Sequence, residues 1–184
     1  MSFNKNPRII GQHAFLSPSN YQWLDYDEDK LTRVFFEKQQ TKRGDELHAY
    51  AQRAIDLGIR QAENNTTLSL YINDAIGHRM QAEVPLYYSD ECFGTADACG
   101  FRENHLRIHD LKTGKIVASM KQLLIYAGIF CFEYRMSPNE ISISLRIYQN
   151  DAITEMIPDP SDILLVMSRI KTQAERIAYL REED

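Results

Sequence analysis

Two carboxylates and one ammonium group near the middle of the chain offer the most specific chemistry. Asp97 closes the segment Gly94-Thr95-Ala96-Asp97, while Asp110 and Lys112 stand in Leu106-Arg107-Ile108-His109-Asp110-Leu111-Lys112-Thr113-Gly114. Both segments have the mixed apolar pattern of short strands, and Arg102-Glu103-Asn104 between them reads as a turn. Adjacent strands would bring Asp97 and Asp110 towards one another. Strand side chains alternate, so Lys112 shares a face with Asp110, and parity puts both on the face of Leu106 and Ile108. Carboxylates that approach closely repel unless a cation lies between them, and hard oxygen ligands select Mg²⁺ or Mn²⁺. Lys112 could then hold or deprotonate a water for attack on phosphorus, with the metal offsetting charge that develops on the phosphate. The alternative is an exposed Asp110–Lys112 ion pair at a strand end, which contributes little. Against it, charges that end an otherwise buried face are costly unless they have a task.

These residues need a sheet and helices to hold them. Ala82 to Tyr88, Phe93 to Phe101 and His105 to Leu111 read as a three-stranded meander separated by turn residues. Ile141, Ile143, Leu145 and Ile147 alternate with Ser142, Ser144, Arg146 and Tyr148, which predicts a fourth strand with one buried face. A weaker strand is expected near Ile153 to Ile157. Before the meander, Ser19 is a candidate N-cap for a short helix that breaks in Asp25-Tyr26-Asp27-Glu28-Asp29. Val34, Phe35, Leu47, Ala51, Ala54 and Ile55 recur at helical spacing from Leu31 to about Leu57, as one helix or two. Gly44 is a break or close-approach point there, and Gly58 a C-cap. Further helices are predicted over Thr67 to about Arg79, Met120 to about Arg135 and Ser161 to about Arg181. The order describes an α/β protein: a single domain over 1–184 with a central mixed β-sheet flanked by helices. Its helical N-terminal part would cover about 15–79, its catalytic sheet and helix about 81–148, and its last strand and helix about 153–183.

Composition narrows the partners. The chain has 184 residues, 43% hydrophobic and 26% charged, the proportions of an ordinary globular protein. Its longest apolar run, Leu123 to Phe132, is about half of the ~20 residues a membrane helix needs. The first residues, Met1 to Pro7, lack the apolar core of a signal peptide, so a cytoplasmic location and no membrane partner are expected. Cys92, Cys99 and Cys131 are odd in number and widely spaced, and read as packing residues. A net charge of −5 argues against coating nucleic acid through bulk charge. Locally, however, Lys30, Arg33, Lys38, Lys42 and Arg43 face only Glu37, a basic strip that could follow phosphates or simply be a solvated helix face.

The Asp97…Asp110-Leu111-Lys112 pattern resembles the PD-(D/E)XK nuclease superfamily, and its flanks resemble the RecB-type branch of phage and bacterial exonucleases. Gly44-Asp45-Glu46-Leu47-His48 is similar to that branch's Gly-x-x-x-His, and Gln122-Leu123-Leu124-Ile125-Tyr126 to its Gln-x-x-x-Tyr helix. The matches follow the expected order over residues 44 to 126. Leu16-Ser17-Pro18-Ser19 with Trp23-Leu24 is also similar to the start of phage-type members. The resemblance implies a restriction-endonuclease-like core and an Mg²⁺- or Mn²⁺-dependent deoxyribonuclease, an exonuclease of phage or bacterial DNA recombination or repair. It further implies His48, Asp97, Asp110 and the Leu111 backbone carbonyl as metal ligands, with Glu83 an additional acidic group. Lys112 would position water, and Gln122 and Tyr126 would orient Lys112 or the DNA backbone. Taken alone, His48 reads equally as a capping or surface residue and Tyr126 as a core residue with a satisfied hydroxyl.

The four-cysteine iron–sulfur cluster of some RecB-type nucleases has no counterpart here: Asp25-Tyr26-Asp27 follows Trp23-Leu24, and no cysteine lies beyond Cys131. There is no Gly-x-x-x-x-Gly-Lys-Ser/Thr motif, so unwinding would need a helicase or recombination partner. A homo-oligomer is compatible with this reading; an endonuclease acting on host or invader DNA, and a non-cutting nucleic-acid- or protein-binding module that keeps the nuclease fold, are the alternatives. If Lys38, Lys42 and Arg43 track DNA, Lys42→Glu with Arg43→Glu should impair degradation and leave Mn²⁺ affinity unchanged by calorimetry. Because few phosphates can be neutralised, the wild-type salt slope should have a magnitude of about 3 to 5.

Overall fold

The computed structural model describes residues 14–16 and 18–182. Met1 to Pro7, Ser17 and the side chain of the expected N-cap Ser19 lie outside the described residues. The chain divides between Arg43 and Gly44 into two compact units.

In the first unit a 3-10 helix, Pro18–Asp25, precedes the start of α1 (Glu28–Asp56). Asp27 begins α1 by accepting the Lys30 amide at 2.7 Å, and Glu28 and Asp29 place negative charge in the first turn, where the helix dipole favours it. Phe15, Phe35 and Phe36 meet edge to face. The boundary at Gly44 falls within α1, which is one helix and is not broken there. Gly58 ends it as expected, at φ +66°: the Gly58 and Ile59 amides donate back to Ile55 and Ala54 at 3.0 and 2.8 Å.

The second unit is an α/β domain built on one mixed sheet. After α2 (Thr67–Gly77) come β1 (Gln81–Ser89), β2 (Cys92–Arg102), β3 (His105–Leu111), α3 (Lys121–Glu133), β4 (Ser142–Gln149), β5 (Ala152–Met156) and α4 (Pro160–Glu182). The strand order is β1-β2-β3-β4-β5, with β3 and β4 parallel and every other pair antiparallel. A parallel pair needs a crossover, and α3 supplies it. The expected α/β class with a mixed central sheet is therefore present, with a fifth strand where the weak one was predicted.

Two apolar clusters sandwich the sheet. Leu106, Ile108, Ile143, Leu145 and Ile147 pack with Leu123, Ala127 and Cys131 of α3 and Ile163 of α4. Ala98, Leu111 and Tyr148 pack with Ala51, Ala54 and Ile55 of α1 and Tyr71, Ile72 and Ala75 of α2. The fourth strand thus departs from its expected one buried face: Ser144 and Tyr148, on its polar side, are buried too. A strand inside a sheet with helices on both faces has no wet side. Its polar atoms are instead paired, Ser144 Oγ with His105 Nε2 at 3.0 Å and the Tyr148 hydroxyl donating to Asp74 at 2.7 Å. All three cysteines are free thiols, two of them in the core, and no described helix is long and apolar enough to cross a membrane.

Gly58→Ala should lower the urea midpoint by the equivalent of about 1 kcal/mol, since a Cβ is disfavoured at that φ. Gly114→Ala, where an added methyl meets nothing, should leave it unchanged.

Candidate metal centre

The site grows from a place where the sheet opens. Pairing of β2 with β3 runs from Arg102↔His105 to Ala98↔His109 and stops, although both strands continue. Beyond that point β3 remains paired with β4, and the Lys112 amide extends this ladder by donating to the Tyr148 carbonyl at 2.9 Å. On the β2 side the backbone groups need other partners. The Leu111 amide donates to Asp97 Oδ2 at 2.8 Å, and the Thr95 carbonyl accepts from the Tyr126 hydroxyl at 2.6 Å.

Around Asp97 the other groups gather. His48 Nδ1 of α1 lies 3.6 Å from Asp97 Oδ2. With Glu83 they form a trio whose donor atoms lie within 4.8 Å of one another. Glu83 stands at φ +49° inside β1, although its neighbours Ala82 and Val84 pair regularly with Ala98 and Ala96. Such a conformation in a non-glycine residue costs about 1–3 kcal/mol and persists only where surrounding structure enforces it. Burial, then the charge of Asp97, raises the Glu83 carboxyl above its ordinary range, while His48 opposes this.

Asp110 completes the acidic group from the adjacent strand and is only 2% exposed. Its Oδ1 accepts from Lys112 Nζ at 2.9 Å; its Oδ2 is buried with no hydrogen-bond partner. Burial, reinforced by Asp97 and opposed by Lys112, pushes its carboxyl up to about 6. The exposed surface pair that the sequence left open is therefore not what forms. Lys112 donates also to Gln122 Oε1 at 3.1 Å, as one of the two expected roles of Gln122 requires.

Tyr126 does otherwise. Its hydroxyl holds the β2 backbone two residues before Asp97, and its ring lies over Gly94, where a Cβ would come within 3.0 Å of it. Gly44 acts as the close-approach point: a Cβ there would lie 2.9 Å from Thr113 Oγ1, so the missing side chain lets α1 reach the exit of β3, one turn before His48. Leu111 has a definite part through its amide, separate from the carbonyl role the resemblance implies, and its side chain is buried in the core. Lys38, Lys42 and Arg43 are exposed on α1 in the first unit, with Lys38 Nζ 4.9 Å from the centre of the Phe15 ring.

Sequence reasoning missed Tyr71, which it placed on the apolar face of α2. Burial raises its phenol, and the charges of Asp97, Glu83 and Asp110 raise it further, so it lies within electrostatic reach of the carboxylates. A tyrosine in a helical apolar stripe carries no signal of that neighbourhood.

The donor set could hold a divalent cation. Carboxylate oxygens and one imidazole converge, and the buried Asp110 Oδ2 lacks the partner that a buried charge requires. Residues 13–155 match the family described as Protein of unknown function (DUF2800). The chain matches no curated protein and no solved structure.

In metal-free buffer the folded state holds the Asp110 proton up to about pH 6, whereas the unfolded chain releases it near 3.8. The folded state then binds more protons, so stability falls as pH rises through that window and is flat above it. Asp110→Asn should accordingly melt higher than wild type above pH 6 and alike below about pH 3.8. Saturating Mn²⁺ should raise the melting temperature of the wild type alone. A pH-independent difference in metal-free scans would show that Asp110 does not carry this penalty.

Proposed function

The chain belongs to the DUF2800 family, and we propose that it is an Mg²⁺- or Mn²⁺-dependent deoxyribonuclease that hydrolyses phosphodiester bonds. The observation that carries this reading is the buried Asp110, with one oxygen on Lys112 and the other unpartnered, beside the His48–Glu83–Asp97 trio. Tandem carboxylates with a lysine two residues on are the arrangement by which the motifs resemble PD-(D/E)XK nucleases of the RecB type. An exonuclease role in phage or bacterial recombination or repair rests on that resemblance.

His48, Asp97 and Asp110, with Glu83, would hold the cation, which supplies charge to offset that developing on phosphate. Lys112 has three N–H donors. Asp110 and Gln122 engage two, leaving one to orient the attacking water towards phosphorus. Gln122 thereby fixes the ammonium in direction. Asp97 is kept in its rotamer by the Leu111 amide, and Tyr126 keeps β2 from shifting along its own axis. Each group is thus placed before substrate arrives, as electrostatic stabilisation requires.

Two measurements test the division of labour. Lys112→Ala should bind Mn²⁺ with near wild-type affinity and lose turnover by about 10² to 10⁴, whereas His48→Ala should weaken Mn²⁺ binding itself. Calorimetry of both variants would expose a reversed assignment. Linear DNA should be degraded with Mg²⁺ while a covalently closed circle of the same sequence survives. Cutting of the circle points to the endonuclease alternative, and no cutting of any DNA to the non-cutting one.

A further inference from the structure

Between Lys112 and α3 the chain makes a loop whose tip is Ile116-Val117. These side chains are 90% and 84% exposed, the largest values for large apolar residues among the described residues. Isolated exposed aliphatics are ordinary, but the backbone beneath these two is pinned. Gln149, the last residue of β4, spends its whole side-chain amide on this loop. Its Nε2 donates to the Gly114 and Ile116 carbonyls at 2.6 and 2.7 Å, and its Oε1 accepts the Ala118 amide at 3.0 Å. The apolar tip is therefore presented by a backbone already ordered, which reduces the entropy lost on contact.

Along the chain the charges next to it have one sign. Lys115 and Lys121 flank the tip in sequence, and no acidic residue occurs from Leu111 to Phe132. Cations that take phosphates, set about an aliphatic tip that takes bases, match a nucleic-acid strand. Ile116 stands four positions after Lys112, a reach of at most about 14 Å. The tip therefore lies close to where the proposed nuclease would hold the scissile phosphate.

We infer that Ile116 and Val117 form a wedge that enters between the terminal bases of a DNA end, parts the strands and leaves one of them to the Asp110–Lys112 site. This rests on the nuclease reading and deepens it: the preferred substrate is a duplex end that the wedge must open.

The test compares the full chain with its Ile116→Ser, Val117→Ser double variant, changed only at exposed positions. With Mg²⁺ or Mn²⁺ the variant should degrade blunt linear duplex about tenfold or more slowly. It should degrade single strands, and duplexes whose ends are unpaired by mismatches, at the wild-type rate. Gln149→Ala should reproduce the pattern more weakly. Equal loss on all three substrates, or no loss on the blunt duplex, overturns the wedge. If the wild-type chain cuts none of them, the nuclease reading fails, and the wedge is judged by binding. In Ca²⁺, 2-aminopurine at the terminal base step should brighten with the wild type and not with the variant. Absence of that rise overturns the wedge, and so does tip-dependent sedimentation with phosphatidylserine vesicles in its place.

Discussion

The site depends on an interrupted ladder. Where β2 and β3 cease to pair after Ala98↔His109, an amide and a carbonyl lose their natural partners. A buried backbone group left unpaired costs about as much as a lost hydrogen bond or more. Side chains must replace the missing strand, and the two that do so, Asp97 at the Leu111 amide and Tyr126 at the Thr95 carbonyl, are also expected site residues. The defect in the sheet and the positioning of the carboxylate are thus one feature. Continued in the same register, the ladder would set Asp97 opposite Asp110 and leave the Leu111 amide to the β2 backbone, so that Asp97 would lose this anchor.

Electrostatics gives the opening its chemical character. Asp97 raises the proton affinity of both Glu83 and Asp110. Lys112 and His48 oppose it, yet burial is the largest cause for both carboxyls. The left-handed backbone of Glu83 adds strain at the same spot. Strain and like charge gathered in one place do not serve stability, and they make this opening the candidate site.

Across the sheet the arrangement is of the opposite kind. Tyr148 donates to Asp74 and meets His109 Nδ1 at 3.2 Å, and Arg146 joins Asp74 at 2.9 Å and Glu155 at 2.8 Å. His109 is pushed down to about 3 by burial, with Arg146, His78 and Arg107 adding to it, and stays neutral. This network ties β3, β4 and β5 to α2, with Arg146 shared between the two carboxylates and only His109 Nε2 left without a hydrogen-bond partner. The parallel pair that carries Asp110 and Lys112 thereby has a fixed base, against which the neighbouring strand can afford to end its pairing.

Local order was legible in the residues themselves. The alternation from Ile141 to Tyr148, the αL position of Gly58 and the common face of Asp110 and Lys112 follow from periodicity and stereochemistry, which act over a few residues and need no knowledge of the partner. The candidate set of His48, Asp97, Asp110, Lys112, Gln122 and Tyr126 came instead from a resemblance, which their order along the chain carried. What each of them touches was decided only in three dimensions. Tyr126 turns to Thr95 and not to Lys112, Leu111 offers its amide, Glu83 adopts a backbone no pattern announces, and Ser144 and Tyr148 are buried on a face that reads as polar. The reason is the same for all four. A side chain's partner depends on which neighbouring strand or helix has been withdrawn or laid over it, and that is set by where the β2–β3 ladder stops and by the helices packed on both faces of the sheet, neither of which any short stretch of sequence encodes.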